Sequence, residues 1–355
     1  MIPGIADPIR FILDFAVLFA VYSILSISLN LEYGYTGIPN FGKVLFFAGG
    51  AFVVGSLTAR LAMPLAGISF NPEKFCTENV KLTYMVSQFF AANPHIAIAL
   101  FLLLILLAVG VSALLGYLAS YPAIRLREDY LGITLLAAGE LVRIIARNYE
   151  PIVCGTLGIS VPNPFAWLSG RTQDLMYIAV MFTAAIGIWI YTERLSRSPY
   201  GRMLRALRDN ELAAEALGKC GVSIRMQTLV LGSAMAGLAG ALYAYYTGAV
   251  YADDYVPIRT FLVWVMVIIG GAGNNSGAAL GALIYVFMDR MIGQYKYYVP
   301  VPFDINYLSY IILGVVLIAM LMYRPGGILP EKPSKTIDFE KIAARFRKNL
   351  SAREA

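Results

Sequence analysis

Residues 96–121 read IAIALFLLLILLAVGVSALLGYLASY, an uninterrupted run without a charged side chain. A helix needs about 20 mostly apolar residues to cross the hydrocarbon core of a bilayer, so this run predicts a membrane-spanning helix. The whole chain of 355 residues agrees, because 59% of it is hydrophobic and only 14% is charged. A soluble domain is typically about 45–50% apolar and about a quarter charged. We therefore predict an all-α polytopic membrane protein.

Outward from this run, apolar stretches of similar length recur along the chain. Together they predict about eight transmembrane or re-entrant segments, with broken helices among them. The other candidates are residues 9–31, 41–62, 130–148, 174–192, 226–250, 305–323 and a glycine-interrupted stretch, 260–288. We assign residues 1–330 to a transmembrane domain and 331–355 to a basic tail.

The composition excludes several function classes. With His95 as the only histidine, the chain cannot hold a multi-histidine metal site, and we predict neither a metal nor a cofactor in it. Residues 37–44 (GIPNFGKV) miss the phosphate-binding P-loop, because Val44 stands where that motif needs Ser or Thr. The net charge of +6 fits membrane orientation better than nucleic-acid binding. We predict that the chain is not an enzyme.

Basic residues predict the orientation. Segment 193–225 holds seven Lys and Arg residues and the tail 324–355 holds eight, whereas loops 63–95 and 149–173 hold three together. Cytoplasmic loops are enriched in such residues, so we place 193–225 and the C-terminus in the cytoplasm. An even number of crossings must separate these segments, so the broken stretch must be a re-entrant pair or two short spans. The side of the N-terminus stays open.

Two helix breaks are candidates for a translocation path. Pro39 and neighbouring glycines interrupt one apolar run, and residues 270–277 (GGAGNNSG) interrupt another. Paired breaks in a transporter often mark its substrate path, although both could equally be turns at the membrane surface. The residues that we assign to the path here are Gly37, Gly42, Lys43, Gly271, Asn274 and Asn275.

Two further features of the predicted spans concern packing. Glu140 and Arg143 are three residues apart in one span and can pair; we favour a structural ion pair over a gating role, and include both among the path candidates. Small residues at 233, 237 and 241, and at 277 and 281, predict close helix packing within the subunit.

Segment 193–225 gives the strongest functional indication. Arg202, Arg205 and Arg208 recur every three residues, and residues 209–218 (DNELAAEALG) predict a short helix that stops at Gly218. A helix of alanine and charge without a continuous apolar face is poor core material, so it is suited to docking on another protein or is a solvated loop helix. The further docking candidates are Asp209, Glu211, Ala213, Ala214 and Gly218.

The tail has an amphipathic pattern. Phe339, Ile342, Phe346 and Leu350 follow near-helical spacing among basic residues. This pattern predicts either a helix on the lipid surface or a frayed tail.

In these segments the chain resembles the LivM-type membrane subunits of ABC importers for branched-chain amino acids. Residues 198–218 are similar to the cytoplasmic segment that couples such a permease to its ATPase. Further similar blocks are residues 34–37, 46–51, 126–130, 139–143, 236–243, 270–273 and 323–327. At 39–43 the chain reads PNFGK, where the family usually has a serine-leucine-glycine-histidine sequence.

The resemblance implies a set of partners. These are a second, homologous permease, two ABC ATPase subunits that hold ATP and Mg, and an extracytoplasmic binding protein. It also implies the plasma (inner) membrane of a prokaryote and inward transport of branched-chain or related amino acids. The helix within 202–218 would lie in a groove of an ATPase subunit.

Competing interpretations remain open. Urea and amide importers use similar permeases, so the cargo could differ. An ion-gradient-driven secondary transporter is a different class; it would need an acidic residue at a break, and neither break segment contains one. Whether Cys76 and Cys154, both predicted to be outside, form a disulfide is also open.

Overall fold

The computed structural model describes residues 8–69, 71–123, 128–295 and 306–331, and it confirms an all-α fold. The helices are α1 (Pro8–Leu29), α2 (Lys43–Leu65), α3 (Phe75–Ala92), α4 (Pro94–Ala123), α5 (Glu128–Asn148), α6 (Glu150–Val153), α7 (Arg171–Arg197), α8 (Pro199–Asp209), α9 (Glu211–Ala216), α10 (Gly221–Thr247), α11 (Ile258–Gly270), α12 (Asn275–Tyr295) and α13 (Asn306–Tyr323). A π-helical turn, Asn30–Tyr35, continues α1, and short 3₁₀ turns lie at Pro72–Lys74, Gly155–Leu157 and Ala252–Asp254.

Every predicted apolar segment corresponds to a helix or a helix pair. Among the described residues, five helices are long and apolar enough to cross a membrane: α1 with its π turn, α2, α4, α7 and α10. The predicted spans 130–148 and 305–323 are α5 and α13, which are more charged or shorter. Helix α3 lies within residues 63–95, which the sequence indicated to be a loop.

The centre of the protein consists of α2, α4 and α10, which approach at small residues. An added Cβ on Gly50 of α2 would lie 2.0 Å from the carbonyl oxygen of Gly237 in α10. On the α4 side, an added Cβ at Gly237 would lie 2.1 Å from Ser112 Oγ. The predicted packing of small residues within one subunit is therefore confirmed.

The chain has two chemically different ends, which we call the α8–α9 end and the disulfide end. Helix α10 runs from the first end to the second, and α2 runs parallel to it, since Lys43 contacts Gly232 and Thr58 contacts Tyr245. Helix α4 runs antiparallel to α10. Helix α1 also runs antiparallel, because Tyr246 near the end of α10 donates to the Asp14 carboxylate near its start.

The disulfide end carries most of the irregular structure. Cys76 at the start of α3 forms a disulfide with Cys154, which resolves the open question of their pairing. Strands β1 (Ile159–Ser160) and β2 (Ala249–Val250) form a two-residue antiparallel pair there. Since α2 ends and α4 begins at this end, both ends of α3 lie on the same side.

The glycine-interrupted stretch turns back on itself. Helices α11 and α12 are separated by a short break, and the direction of the chain changes there by 119°. A turn beyond 90° reverses the path through the membrane, as the crossing argument predicted. The 13 residues of α11 extend about 20 Å, which is shorter than the hydrocarbon core of about 30 Å. The 21 residues of α12 extend about 30 Å, which is enough to cross it, so the pair is a helical hairpin of one short and one full-length helix.

Glu331, the first residue of the predicted tail, packs against the body through ion pairs with α8. The amphipathic pattern at 339–350 and the basic residues Arg125 and Arg127 lie outside the described residues.

The close approach of α2 to α10 generates a stability prediction. Gly50→Ala places a methyl group against the Gly237 backbone, so we expect a loss of about 1–3 kcal/mol of stability through overpacking. Thermal unfolding of the purified protein in detergent measures this loss. Gly110→Ala on α4 is the matched control, because no atom lies within 4 Å of an added Cβ there. Equal melting temperatures for the two variants would contradict the packing.

Candidate functional site

The two helix breaks meet at Asn30, in the π-helical turn that follows α1. The Asn30 side-chain oxygen accepts a hydrogen bond from the backbone N–H of Gly273 (2.8 Å), and its amide nitrogen donates to Asn275 Oδ1 (3.0 Å). Gly34, one turn later, lies so close that an added Cβ would be 2.5 Å from Gly273 N. One buried side chain thus links two segments that are far apart in sequence.

The second break is shaped by its glycines and asparagines. Gly271 has a φ of +117° and Gly273 a φ of +79°, conformations that favour glycine. Asn274 caps the start of α12, since its side-chain oxygen accepts from Ser276 N at 3.1 Å, and its amide donates to Pro330 O at 3.1 Å. The Asn275 amide donates to Glu193 Oε2 (3.1 Å). The polar groups of the break are therefore satisfied within the protein.

The segment after α13 closes this break from the α8–α9 end. Ile328 N and Leu329 N donate to the carbonyl oxygens of Ile269 and Gly270, at 3.0 and 2.9 Å. These carbonyls lie at the end of α11, where a helix leaves acceptors without intrahelical partners. The predicted path residue Gly271 therefore lies against this segment, with an added Cβ 2.1 Å from Leu329 O.

Helix α8 lies directly on the junction of the two breaks. Arg208 donates to the carbonyl oxygen of Gly34 and forms an ion pair with Glu331 (2.9 Å). Arg205 forms a second ion pair with Glu331 (3.2 Å), and its guanidinium lies 5.3 Å from the ring centre of Tyr35. Partial burial lowers the pKa of Arg208, but hydrogen bonding and charge from Glu331 outweigh this and raise it overall.

Gly37 belongs to the same cluster, because an added Cβ would lie 3.1 Å from Arg208 Cγ. Gly37, Gly271, Asn274 and Asn275 are thus the predicted path residues that the structure brings together. The predicted path residue Gly42 lies away from this cluster, against Leu135 of α5.

Lys43 is enclosed in a buried ion pair. Its Nζ lies 2.8 Å from Glu32 Oε2 and 3.2 Å from the carbonyl oxygen of Gly232, and both charged side chains are almost fully buried. Asn40 donates to the same carboxylate at 2.9 Å. Such a pair is costly to break, since one uncompensated buried charge destabilises by about 3–5 kcal/mol. Lys43 is therefore neutralised rather than presented as a free positive charge.

Glu140 and Arg143 form the predicted pair, with Arg143 Nε 3.0 Å from Glu140 Oε2. Arg143 also forms an ion pair with Asp253, which precedes α11. This cluster ties α5 to the disulfide end, so the structure does not bring the pair to the two breaks. Its contacts fit the favoured structural role.

The predicted docking residues divide into two groups. Arg205 and Arg208 are half-buried against the breaks, Ala214 is buried, and Glu211 forms an ion pair with Arg225 (2.9 Å). The second group is exposed and faces away from the body. It consists of Arg202, Asp209, Ala213 and Gly218.

Helix α9 is short but sharply delimited. Asn210 caps its start by accepting from Ala213 N (3.0 Å), and Gly218 follows its end with a φ of +79°. The helix and the residue after it present two apolar side chains that the sequence did not single out, Leu212 and Leu217, each 80% exposed.

Neither break segment contains an acidic residue, but the fold brings three carboxylates next to the breaks. Glu32 lies beside the first break, and Glu193 and Glu331 lie at the second. They were missed because they lie outside the two break segments in sequence. Asn30 and Glu32 had a usable signal, since polar residues inside an apolar run are rare and usually have a role. Glu331 had none, because its partners are on α8.

Comparisons with known proteins place this chain in a family. The model of the branched-chain amino acid transport system / permease component matches residues 11–321. A probable branched-chain amino acid transport permease protein LivM from Methanocaldococcus jannaschii is 38% identical over 91% of this chain and 94% of its own length. The high-affinity branched-chain amino acid transport system permease protein LivM of Escherichia coli is 27% identical over 89% of this chain and 69% of its own.

A probable branched-chain amino acid transport permease protein LivH from Methanocaldococcus jannaschii is 25% identical over 90% of this chain and 92% of its own length. No solved structure matches significantly. The family match covers most of the chain, and the LivM similarity exceeds the LivH similarity. The chain therefore belongs to the branched-chain amino acid transport permease family, as a multi-pass membrane protein of the LivM type.

Proposed function

We propose that this chain is a permease subunit of an ATP-driven importer that moves branched-chain amino acids into the cell. The observation that carries the proposal is the position of α8, whose arginines contact the first break directly and the second through Glu331, while its exposed side continues into α9. A movement of α9 driven by a cytoplasmic partner would be transmitted to both breaks through these contacts. The names of the related proteins support the substrate class.

The proposed complex contains this chain, a second homologous permease, two ABC ATPase subunits and an extracytoplasmic binding protein. Similarity to both LivM and LivH proteins supports a pair of permeases. ATP and Mg are held by the ATPase subunits. The one lysine in a P-loop-like stretch, Lys43, is buried against Glu32 and has no access to a phosphate.

The α8–α9 end is proposed to face the cytoplasm. Two independent features support this orientation. Basic residues concentrate in segment 193–225, and the disulfide lies at the opposite end, where an oxidising exterior would maintain it. The start of α1 then faces the exterior and the 324–331 segment faces the cytoplasm.

The proposed ATPase contact is the exposed tip of α9. Leu212 and Leu217 project from a small alanine-rich helix. A few apolar anchors can carry most of the binding energy of a protein–protein contact. Asp209 and Arg202 would supply the polar rim.

A secondary transporter is the second candidate, because three carboxylates lie at the breaks. Glu32 is neutralised by Lys43, Glu193 pairs with Arg197, and Glu331 is neutralised by two arginines. A carboxylate that carries a proton or ion must exchange it during transport. These pairs favour a fixed structural charge, so ATP-driven transport is the better supported function.

Purification and reconstitution test the function. Affinity purification of the chain from its native membrane in mild detergent is expected to recover two ATPase subunits and a second permease. In proteoliposomes with the binding protein, leucine uptake should require ATP, and urea should not compete. An isolated chain that accumulates leucine on an ion gradient without ATP would establish the secondary transporter, and urea uptake would change the cargo.

The α9 tip generates a coupling prediction. Leu212→Asp should reduce ATP-driven uptake at least tenfold, because a charge replaces an apolar anchor of the ATPase contact. Gly218→Pro should have a similar effect, since the residue requires a positive φ that proline cannot adopt. Leu157→Asp is the matched control, because Leu157 is 65% exposed at the disulfide end. Normal uptake by both tip variants would remove the docking assignment.

The contact between α8 and the breaks generates a second prediction. Glu331→Gln removes the shared partner of Arg205 and Arg208, so ATP hydrolysis should continue while leucine transported per ATP falls severalfold. Glu78→Gln is the control, since it makes the same charge change at an exposed carboxylate of α3, away from α8 and both breaks. If both variants retain the wild-type ratio of transport to hydrolysis, Glu331 does not transmit the motion.

A further inference from the structure

A cavity of about 280 Å³ opens at the disulfide end between α1, α7 and α10. It is far from the junction of the breaks, and none of the residues assigned to coupling or to the path lines it. Its volume lies near the lower limit of about 300–1,000 Å³ for small-molecule pockets. The cavity therefore suits a ligand of few atoms.

The α1 side of the cavity carries charges near its opening and apolar groups below them. Arg10 and Asp14 are four residues apart and share one face of the helix, with Leu13 and Val17 on the inner side. The Asp14 carboxylate accepts a hydrogen bond from the hydroxyl of Tyr246 on α10. This bond fixes the position of the carboxylate.

The α7 side repeats the same order. Arg171, Asp174 and Ile178 line the cavity at helical spacing, with the arginine first and the aliphatic residue deepest. The two helices run in the same direction, because Phe19 and Phe182, further along each helix, also meet, with ring centres 6.0 Å apart. The cavity thus has two basic and two acidic groups toward its mouth and an aliphatic floor.

These charges do not neutralise one another through ion pairs within the described part of the chain. Among those residues, no carboxylate lies within 4.0 Å of Arg10 or Arg171, and no basic group lies within that distance of Asp14 or Asp174. Two basic and two acidic side chains therefore line one cavity, and none of them forms an ion pair within the described part of the chain.

We infer that this cavity binds a free α-amino acid with an aliphatic side chain. Arg10 and Arg171 would hold the α-carboxylate, Asp14 and Asp174 the α-ammonium group, and Leu13, Val17 and Ile178 the side chain. A zwitterion matches the balanced charges, whereas an ion of either sign would satisfy only half of them. The inference rests on the proposed function, which places this end outside, where substrate arrives.

The start of α7 adds to the anion-binding side. Gly170 precedes the helix and provides no side-chain cap, so the first-turn N–H groups are not capped by it. The N-terminus of a helix favours a carboxylate through these donors and the helix dipole. It supports the orientation with the carboxylate near Arg171.

The test is equilibrium binding of radiolabelled leucine to the purified full chain in nanodiscs of phosphatidylglycerol, without the binding protein. We expect saturable binding, with weak competition by leucinamide and 4-methylpentanoate, which each lack one of the two charges. Arg171→Gln and Asp174→Asn should each weaken binding about tenfold or more, the usual effect of losing a charge-assisted hydrogen bond. The double variant Arg171→Asp with Asp174→Arg, which keeps both charges, should recover part of the affinity.

Lys81→Gln and Glu78→Gln on α3 are the matched controls, because they make the same charge changes at exposed positions on the same end. Wild-type chain without saturable leucine binding would overturn the inference, as would equal losses in cavity and control variants. The headgroup of phosphatidylethanolamine is also a zwitterion. If this headgroup occupies the cavity in nanodiscs that contain the lipid, and leucine does not bind, the cavity is a lipid site and the inference fails. ATP-driven leucine uptake by the complex is measured separately. Failure of the proposed function can therefore be distinguished from failure of this inference.

Discussion

The structure depends on one constraint: backbone polar groups at membrane depth must find partners inside the protein. Asn30, just before the first break, meets this constraint at the second, because its oxygen accepts from the Gly273 N–H while its amide donates to the Asn275 side chain. The C-terminal segment does the same for the end of α11 through Ile328 and Leu329. Since these partners are shared, neither break can change its backbone without disturbing the other. The irregular segments therefore behave as one structural unit.

Helix α8 is attached to this unit by charge rather than by apolar packing alone. Glu331 is the shared partner of Arg205 and Arg208, and Arg208 also binds the Gly34 carbonyl. Ion pairs that are only partly buried can exchange partners at a modest free-energy cost. The fully buried pair of Glu32 and Lys43 is different, because separating it leaves uncompensated charges. The junction thus combines one fixed ion pair with a set that can rearrange.

Sequence patterns predicted the segments of this fold far better than their partners. Apolar runs located the five membrane-length helices of the described residues because each run is a local property of the chain, and the glycine clusters located both breaks. The pairing of Cys76 with Cys154 and the contacts of Glu331 were not predictable, because they join residues that only the tertiary fold brings together. Helix α3 was missed because its mixed composition gives neither a clear apolar run nor a clear loop signal.

The position of α1 relates the two ends of the molecule. Asp14 near its start lines the cavity at the disulfide end, and Asn30 just after its end joins the breaks. The 16 residues between them correspond to about 24 Å of helix. A helix of this kind moves largely as a rigid body, so a shift of α1 against α7 and α10 would alter the cavity and the junction together. Any ligand that favours one position of α1 would then bias the arrangement of the breaks, because differential affinity for two states shifts their populations.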